Sequence, residues 1–436
     1  MKRFIALVMA LLIILSVFSG CQSSDGKSDT TTTAETSKVE ATTTAAAQAE
    51  TKEITYVNLG GTGKDLLAQA ATDFEAKTGV KVNIQDWAYA DAYQKIITLT
   101  GAKNPPDAMY GFSSWIQQFM KSGDSAPLDE YITPEFKADF MQSAVDVCSV
   151  DGKLWALPYY MSIRTLLINK DAFAAAKVEA PKSYADLLAA APKLTDAKNG
   201  KYATALIAGM PKNTLDVFLP FLWSFGADVL TPDQKKTAFN TPDGIAALQM
   251  YVDLSKYAVP DYGEADIYAM EKDFTSGAAA AIIHSAAPMK SLENEGKSSA
   301  FVEPLQPLEG KAGIRASLGV MDVNLVFKTG NEQAAADFLM FWQTKDRAAV
   351  VSENTGYIPN QNSWYERPAF KDPANLLVAP FAEAGKYAKF KPSVTCWEEL
   401  QKVMTDAIAK AIMGELSATD AFKLAAEQGD ALLAKQ

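Results

Sequence analysis

The chain has 436 residues, a formal net charge of −11, three cysteines and one histidine. At about 150 residues per domain, the length suggests two or three domains, and 48% hydrophobic residues supply a sizeable core. The acidic balance argues against a nucleic-acid binder, which needs a basic stripe. One histidine leaves little room for a His-rich zinc site, and three cysteines form neither a disulfide scaffold nor a four-cysteine metal site.

The N-terminal segment has the pattern of a secretory signal. Lys2 and Arg3 give a positive start, and an almost unbroken apolar run over residues 4–19 follows. This run is shorter than the roughly 20 residues of a spanning helix. It ends in small residues just before Cys21, as in the bacterial lipobox, where the cysteine takes a diacylglycerol and becomes the new N-terminus. We expect a signal peptide over residues 1–20 and a lipidated Cys21; the alternative is an ordinary signal with a chance cysteine.

Residues 22–52 consist mostly of Ser, Thr, Ala, Asp, Glu, Lys and Gln, with runs of threonine. Such a segment does not bury enough apolar area to offset the entropy lost on ordering. Residues 21–52 are therefore predicted to be a flexible tether behind the lipidated cysteine.

Strands and helices alternate after the tether. The hydrophobic pattern predicts strands over 54–59, 80–85 and 107–110, with helices over 64–78 and 91–100 between them. Glycines 79 and 101 end the two helices. This β-α-β-α-β order predicts an α/β layer with a mainly parallel sheet.

The later part of the chain repeats this theme. Further strands are predicted over residues 165–169, 204–207, 278–283 and 320–327. A helix is expected after the N-cap Ser183. Other helices are predicted over residues 243–257, 332–342, 397–413 and 419–433.

No catalytic motif stands out. The run from Gly60 to Lys64 lies between a strand and a helix, but it is not a Walker motif, because its spacing fails and Asp65 replaces the required Ser or Thr. His284 is the lone histidine at a predicted strand end, where a lining or packing role is more common than that of a base. The motifs therefore predict no catalytic residue, metal or cofactor; a catalytic pair of carboxylates is the alternative left open, since Asp and Glu occur throughout the chain.

Aromatic residues cluster after the predicted strands. Trp87 and Tyr89 follow the second strand, and Phe112 and Trp115 follow the third. Aromatic faces stack on the C–H faces of sugars, while polar side chains bond the hydroxyl groups. Ordinary core packing is the alternative, and the residue pattern leaves both open. The other members lie near predicted turns or helix starts: Trp155, Tyr159, Tyr160, Trp223, Tyr357, Trp364, Tyr365 and Trp397.

Seven short segments carry a resemblance to a known family. They occur in a shared order at residues 74–82, 101–107, 151–158, 169–173, 274–280, 335–341 and 356–359. Together they resemble the extracellular solute-binding proteins of ABC importers, family 1, which includes maltose-binding protein. The resemblance covers nearly all of residues 53–436.

The resemblance implies a fold. It is a two-lobed α/β periplasmic-binding-protein fold of type II, with hinge-linked, discontinuous lobes and the ligand between them. Lobe 1 would comprise residues 53–160 and 304–346, and lobe 2 residues 165–300 and 347–436. The hinge segments would be residues 160–164 and 301–304.

The resemblance also implies ligand-contacting positions. Lobe 1 would contribute Gly61, Thr62, Trp87, Tyr89, Phe112, Ser113 and Ser114. The hinge and lobe 2 would contribute Tyr160, Ser162, Asp216, Trp223, His284, Ser285 and Trp397.

One further position departs from the family pattern, and another leaves two interpretations open. Ala287 stands where an aromatic residue often follows the strand end in the family, so Trp397 is the candidate stacking platform. Arg164 is a candidate partner for an acidic sugar, with a surface or inter-lobe salt bridge as the alternative.

The implied function is that of a non-enzymatic, monomeric, substrate-binding lipoprotein. It would capture a carbohydrate, deliver it to the ABC permease, and sit at the extracytoplasmic face of the cell membrane through its lipid. The alternatives are a binding protein for a non-sugar, acidic or phosphorylated solute, and a surface carbohydrate hydrolase.

Overall fold

The computed structural model describes residues 53–435. The predicted signal peptide over residues 1–20, the lipidated Cys21 and the tether over residues 21–52 lie outside the described residues. Among the helices of residues 53–435, none combines the length and the apolar character needed to cross a membrane.

Strands and helices alternate along the described chain. The strands are β1 (Glu53–Leu59), β2 (Lys81–Trp87), β3 (Ala108–Phe112), β4 (Ser149–Val150), β5 (Lys153–Leu154), β6 (Leu157–Asn169), β7 (Ala281–His284), β8 (Val302–Pro304), β9 (Ser317–Val326) and β10 (Ala388–Phe390). The helices of the first half are α1 (Lys64–Thr78), α2 (Tyr89–Gly101), α3 (Ile116–Lys121), α4 (Pro134–Asp139), α5 (Gln142–Val147), α6 (Lys170–Ala176), α7 (Tyr184–Leu194) and α8 (Pro211–Ser224). The helices of the second half are α9 (Pro242–Ser255), α10 (Ile267–Thr275), α11 (Ala287–Asn294), α12 (Glu332–Trp342), α13 (Ala348–Thr355), α14 (Pro368–Lys371), α15 (Ala379–Ala384), α16 (Trp397–Ile412) and α17 (Ala418–Leu433).

Local sequence signals set several helix ends. Gly79 ends α1 in the left-handed conformation, which glycine adopts without steric cost. Ser183 caps α7 in a capping box with Asp186. Thr241 accepts a bond from the Gly244 amide at the start of α9.

The central sheet has the strand order β2-β1-β3-β9-β6-β7, with β10 beside β9 and β8 beside β6. Strand β1 pairs in parallel with β2 and β3, as expected for βαβ units. Strand β9 is antiparallel to both β3 and β6, and β7 and β8 are antiparallel to β6. Strand β10 pairs in parallel with β9. For the other strands after β3, the prediction of a mainly parallel sheet is wrong, because β9 joins β3 from far along the chain in the opposite direction.

Strand β6 connects the two ends of the sheet. Its residues 157–164 pair with β9, and its residues 165–169 pair with β7 and β8. The strand begins at Leu157 and not at residue 165 as predicted. A strand predicted over 204–207 is also wrong: Thr204 makes only an isolated bridge with Ala258.

Candidate ligand-binding site

A cavity of about 600 Å³ lies at the junction where β6 passes from β9 to β7. Strands contribute the end of β3, Ser162 and Arg164 of β6, and residues 319–322 of β9. Helices contribute Tyr89 and Tyr93 of α2, the starts of α8 and α10, and residues of α11 and α16. The cavity therefore combines the early βαβ units with elements far along the chain.

Half of the predicted ligand-contacting residues line this cavity. They are Tyr89, Phe112, Ser113, Ser114, Ser162, His284 and Ser285. The other half lie outside its lining: Gly61, Thr62, Trp87, Tyr160, Asp216, Trp223 and Trp397.

Two of the outside residues support or adjoin the cavity wall. The hydroxyl oxygen of Thr62 lies 3.0 Å from that of Tyr89, so Thr62 helps to position a lining ring. Gly61 precedes α1 in the same loop, in the left-handed conformation. Trp87 instead packs against Lys95, whose Nζ lies 4.0 Å from the centre of its ring.

The remaining large aromatic candidates are packed inside the protein. Tyr160 stacks on Tyr159 and Tyr357, with ring centres 3.8 and 5.0 Å apart. Trp223 is buried and donates through Nε1 to Oδ1 of Asp228 at 2.9 Å. Trp397 is 1% exposed at the start of α16, and its role as a stacking platform stays a prediction.

Other lining aromatics were not among the predicted site residues. Tyr93, Tyr110, Trp115 and Tyr357 line the cavity, as does Tyr268, which is 61% exposed. Trp115 follows β3 and carries the same signal as Phe112. Tyr268 lies in the first turn of a short helix, and nothing in its local pattern marks it.

A chain of hydroxyl groups runs along one wall. The Tyr89 hydroxyl lies 3.5 Å from that of Tyr110, which donates to Oδ2 of Asp322 at 2.7 Å. Burial raises the pKa of Tyr89 to about 12 and that of Asp322 to about 7. The chain fixes both rings and presents oxygen atoms as donors and acceptors to the cavity.

His284 is buried at the end of β7. Its Nδ1 accepts from the Ser285 amide at 3.0 Å, and its Nε2 lies 3.7 Å from Oε2 of Glu271. Burial, followed by the charge of Arg164, lowers the pKa of His284 to about 3. The imidazole is therefore neutral at physiological pH and serves as a polar wall group.

Asp216 lies just behind the cavity wall. Its Oδ1 is 2.6 Å from Lys391 Nζ, and its Oδ2 is 3.5 Å from Arg164 Nη2 and 3.6 Å from Lys212 Nζ. Burial alone would raise the pKa of Asp216, but the three positive charges together hold it below its ordinary value. Asp216 therefore remains ionised and holds three cationic side chains that themselves line the cavity.

Two lining carboxylates, Glu271 and Glu398, come from helices far apart in the sequence. Glu398 of α16 accepts from Trp115 Nε1 at 3.2 Å and from Gln401 Nε2 at 2.7 Å. Glu271 of α10 accepts from the Ser291 hydroxyl. Burial raises the pKa of both carboxyl groups. In the described residues, no group of His, Cys, Asp and Glu is arranged to hold a metal ion.

Residues 59–349 match the model of the bacterial extracellular solute-binding protein family. The chain belongs to this family. This match confirms the family predicted from the sequence. The members of the family are the binding proteins of ABC importers, not enzymes.

Individual relatives agree with this membership. The chain is 26% identical over 369 residues to a binding protein of Brucella abortus (strain 2308). The matched region covers 83% of this chain and 88% of the relative. It is 21% identical over 373 residues to the galactooligosaccharide-binding protein of Bacillus subtilis (strain 168), covering 83% and 85%.

The fold also matches solved structures of solute-binding proteins. A Thermotoga lettingae ABC-transporter solute-binding protein, solved with α-D-tagatose, superposes with a TM-score of 0.78 at 22% identity and covers 88% of this chain and 100% of that one. This solute-binding protein thus has the two-lobed α/β fold of type II, as predicted.

Proposed function

We propose that this solute-binding protein captures a carbohydrate in the cavity and delivers it to the membrane permease of an ABC importer. The observation that carries the proposal is the composition of the wall, which combines aromatic rings with buried polar side chains. Aromatic faces suit the C–H faces of sugar rings, and the polar groups suit the hydroxyls. Two similar proteins support the proposal. The Bacillus subtilis relative is a galactooligosaccharide-binding protein, and the Thermotoga lettingae protein was solved with α-D-tagatose.

Capture is proposed to occur by closure of two lobes. The lobe boundaries are those given above, residues 53–160 with 304–346 and residues 165–300 with 347–436. The bond from Trp115 to Glu398 joins these two sets across the cavity. Lobe closure around the ligand would bury it and present one combined surface to the permease.

The proposed cellular setting is the extracytoplasmic face of the membrane. A monomer would be held there through a lipid on Cys21, after removal of residues 1–20. Replacing Cys21 by Ser should release the protein from the membrane fraction of expressing cells. Retention of the Cys21→Ser variant on membranes would refute the lipid anchor and leave sugar binding untouched.

A thermal-shift screen tests the binding proposal. A ligand that binds only the folded state stabilises it by RT ln(1 + [L]/Kd), about 2.7 kcal/mol at one hundred times Kd. The proposal predicts a raised unfolding temperature with at least one mono- or oligosaccharide and none with peptides of similar size. The saccharide that raises the unfolding temperature should remain intact when it is incubated with the protein. A hydrolysis product would instead support the surface-hydrolase alternative.

A further inference from the structure

The charges on the cavity lining balance one another. In the described part of the chain, four cationic and four acidic side chains line the cavity, and the buried Asp216 carboxylate lies behind them. An anionic ligand would therefore find no excess of positive charge on the wall. Hydrogen bonds have to select the ligand instead, so the buried polar groups that lack a partner are the informative ones.

One such group is the imidazole of His284. Its Nδ1 accepts from the Ser285 amide at 3.0 Å, so the proton of the neutral ring lies on Nε2. Among the described residues, this buried Nε2 has no hydrogen-bond partner. The Ile267 carbonyl lies close enough to the ring to raise its pKa, but it is not in hydrogen-bond geometry to Nε2. A buried donor is costly to leave unpaired, and an acceptor that arrives with the ligand would complete it.

The neighbouring acceptor is the carboxylate of Glu271. Its Oε2 lies 3.7 Å from His284 Nε2, which is too long for a hydrogen bond. The other oxygen, Oε1, accepts from the Ser291 hydroxyl, so α11 holds the carboxylate in place. Oε2 is therefore an acceptor beside an unpaired donor, and both side chains line the cavity.

Two adjacent hydroxyl groups on a sugar ring match this donor and acceptor. One hydroxyl oxygen would accept from Nε2–H of His284, and its neighbour would donate to Oε2 of Glu271. The 3.7 Å between these two atoms leaves room for the two hydroxyls side by side. A hydroxyl group both donates and accepts, whereas a C–H group does neither.

An aromatic side chain lies on the same helix face as Glu271. Tyr268 precedes Glu271 by three residues on α10, a spacing that places both side chains on one face of a helix. Tyr268 is exposed and also lines the cavity. A sugar ring whose hydroxyls reach Glu271 would therefore lie beside the tyrosine ring.

We propose that His284 Nε2 and Glu271 Oε2 together bind two adjacent hydroxyl groups of a neutral saccharide, and that this pair determines which sugar the cavity accepts. The inference rests on the proposed carbohydrate function and deepens it by naming the chemical group that is recognised. The Ser285 amide and the Ser291 hydroxyl position the pair, since each bonds to the side of the ring or carboxylate that faces away from the other.

Calorimetric titration with deoxygenated sugars tests the inference. The probes are the neutral sugars glucose, galactose, mannose, xylose, maltose, cellobiose and lactose, and the tightest binder among them becomes the parent sugar. Each of its analogues has one ring hydroxyl replaced by hydrogen. In the wild type, removal of either hydroxyl of the recognised pair should weaken binding about tenfold, because a buried polar group is then left unpaired.

Two variants assign the hydroxyls to the two side chains. His284→Asn keeps an oxygen that can accept from the Ser285 amide but loses the donor at Nε2. Glu271→Gln keeps an oxygen for the Ser291 hydroxyl and replaces Oε2 by a donor. Each variant should bind the parent sugar about tenfold more weakly than the wild type does.

The same variants should be insensitive to the hydroxyl that they no longer bind. In His284→Asn, one deoxy analogue should bind within about twofold of the parent sugar, because the partner of the missing hydroxyl is already gone. In Glu271→Gln, the analogue deoxygenated at the adjacent carbon should behave in this way. A purely structural role of either residue would not produce this coupling.

Two further variants serve as controls. His284→Gln places an amide nitrogen near the Nε2 position and should recover part of the affinity lost in His284→Asn. Glu309→Gln alters a partly exposed carboxylate that pairs with Arg315 outside the cavity lining, and it should leave every affinity unchanged. Thermal unfolding of each variant without ligand checks that it is folded.

The outcomes separate this inference from the carbohydrate function. Coupling of His284 and Glu271 to hydroxyls on adjacent carbons supports the inference. Sugar binding with the same loss on deoxygenation in the wild type and both variants would overturn it and leave carbohydrate capture standing. Coupling of both side chains to one hydroxyl, or to hydroxyls on non-adjacent carbons, would also overturn it, and no binding of any sugar in the panel would overturn both proposals.

Discussion

The indole Nε1 of Trp115 donates a 3.2 Å hydrogen bond to Oε1 of Glu398, joining residues 283 positions apart. Trp115 follows β3, and Glu398 lies in the first turn of α16. Both line the cavity, so this bond links the two walls between which the ligand is proposed to bind.

Loss of this bond should weaken ligand capture. Trp115→Phe keeps an aromatic ring and removes the donor, leaving Oε1 of Glu398 without this partner. We expect the affinity for the best saccharide to fall about three- to tenfold, measured by calorimetry.

Trp223→Phe provides the matched control for that experiment. It breaks the same kind of bond, from Trp223 Nε1 to Asp228, at a buried position outside the cavity lining. Both variants should lose some stability, but only Trp115→Phe should lose affinity. Equal affinities in the two variants would contradict a role for the Trp115–Glu398 bond in capture.

The turn before α1 controls the position of Tyr89. Gly60 and Gly61 both have positive φ, so alanine is strained at either position. A Cβ on Gly60 would lie 2.1 Å from Tyr89 Cε2, whereas a Cβ on Gly61 would meet nothing within 4 Å. Gly60→Ala should therefore displace the Tyr89 ring and lower saccharide affinity about tenfold, and Gly61→Ala should not. A similar affinity for both variants would exclude Tyr89 as a ligand contact.

Tyr268 offers a test of stacking without a stability cost. Its side chain is 61% exposed at the cavity, so Tyr268→Ala should change the free energy of unfolding by less than about 0.5 kcal/mol. Affinity should fall several-fold, because an aromatic contact contributes about 0.5–1.5 kcal/mol. Tyr387→Ala, at another exposed tyrosine outside the lining, serves as control. An unchanged affinity in Tyr268→Ala would remove this residue from the site.

Stability should depend on pH through Asp322. Burial raises its pKa to about 7 in the folded protein, against about 3.9 in an unfolded chain. A raised pKa means that the folded state holds the proton more tightly, so this contribution is complete below about pH 4 and is lost as the pH rises through about 7. The Tyr110 bond and the charges of Lys212 and Arg164 oppose the rise, and Asp216 adds to it.

Asp322→Asn removes this titration and keeps an acceptor for Tyr110. Its free energy of unfolding should vary less between pH 4 and 7 than that of the wild type. At pH 8 the variant should be more stable by up to about 4 kcal/mol. Denaturant unfolding across this pH range measures the difference, and parallel curves for the two proteins would show that Asp322 is ionised throughout.

Much of the fold follows from local pattern. Helix α12 has the predicted bounds, because its apolar spacing has the period of a helix, and Gly79 ends α1 where expected. The start of β6 was missed because Pro158, Ser162 and Arg164 interrupt its apolar run. Pairing with β9, more than a hundred residues later, is what makes this stretch a strand.

The site was only partly predictable for a related reason. Tyr89 lies two residues after β2 and Phe112 is the last residue of β3, at strand ends where side chains of an α/β sheet commonly meet a ligand. Tyr268 and Lys391 reach the cavity only through tertiary packing, and no local pattern marks them. Trp397 is the first residue of the amphipathic helix α16. Its local sequence does not tell whether its ring packs inside the protein or faces the cavity.

The most direct test of carbohydrate capture in this cavity is calorimetric titration of the purified protein and its Phe112→Ala variant with the strongest saccharide from the screen. We expect saturable binding at one site per chain in the wild type, with a negative heat-capacity change. We also expect a loss of affinity of about tenfold or more in the variant, because the Phe112 ring forms part of the aromatic cavity wall. Absence of saturable binding by any saccharide, or equal affinity in Phe112→Ala, would contradict carbohydrate capture in this cavity.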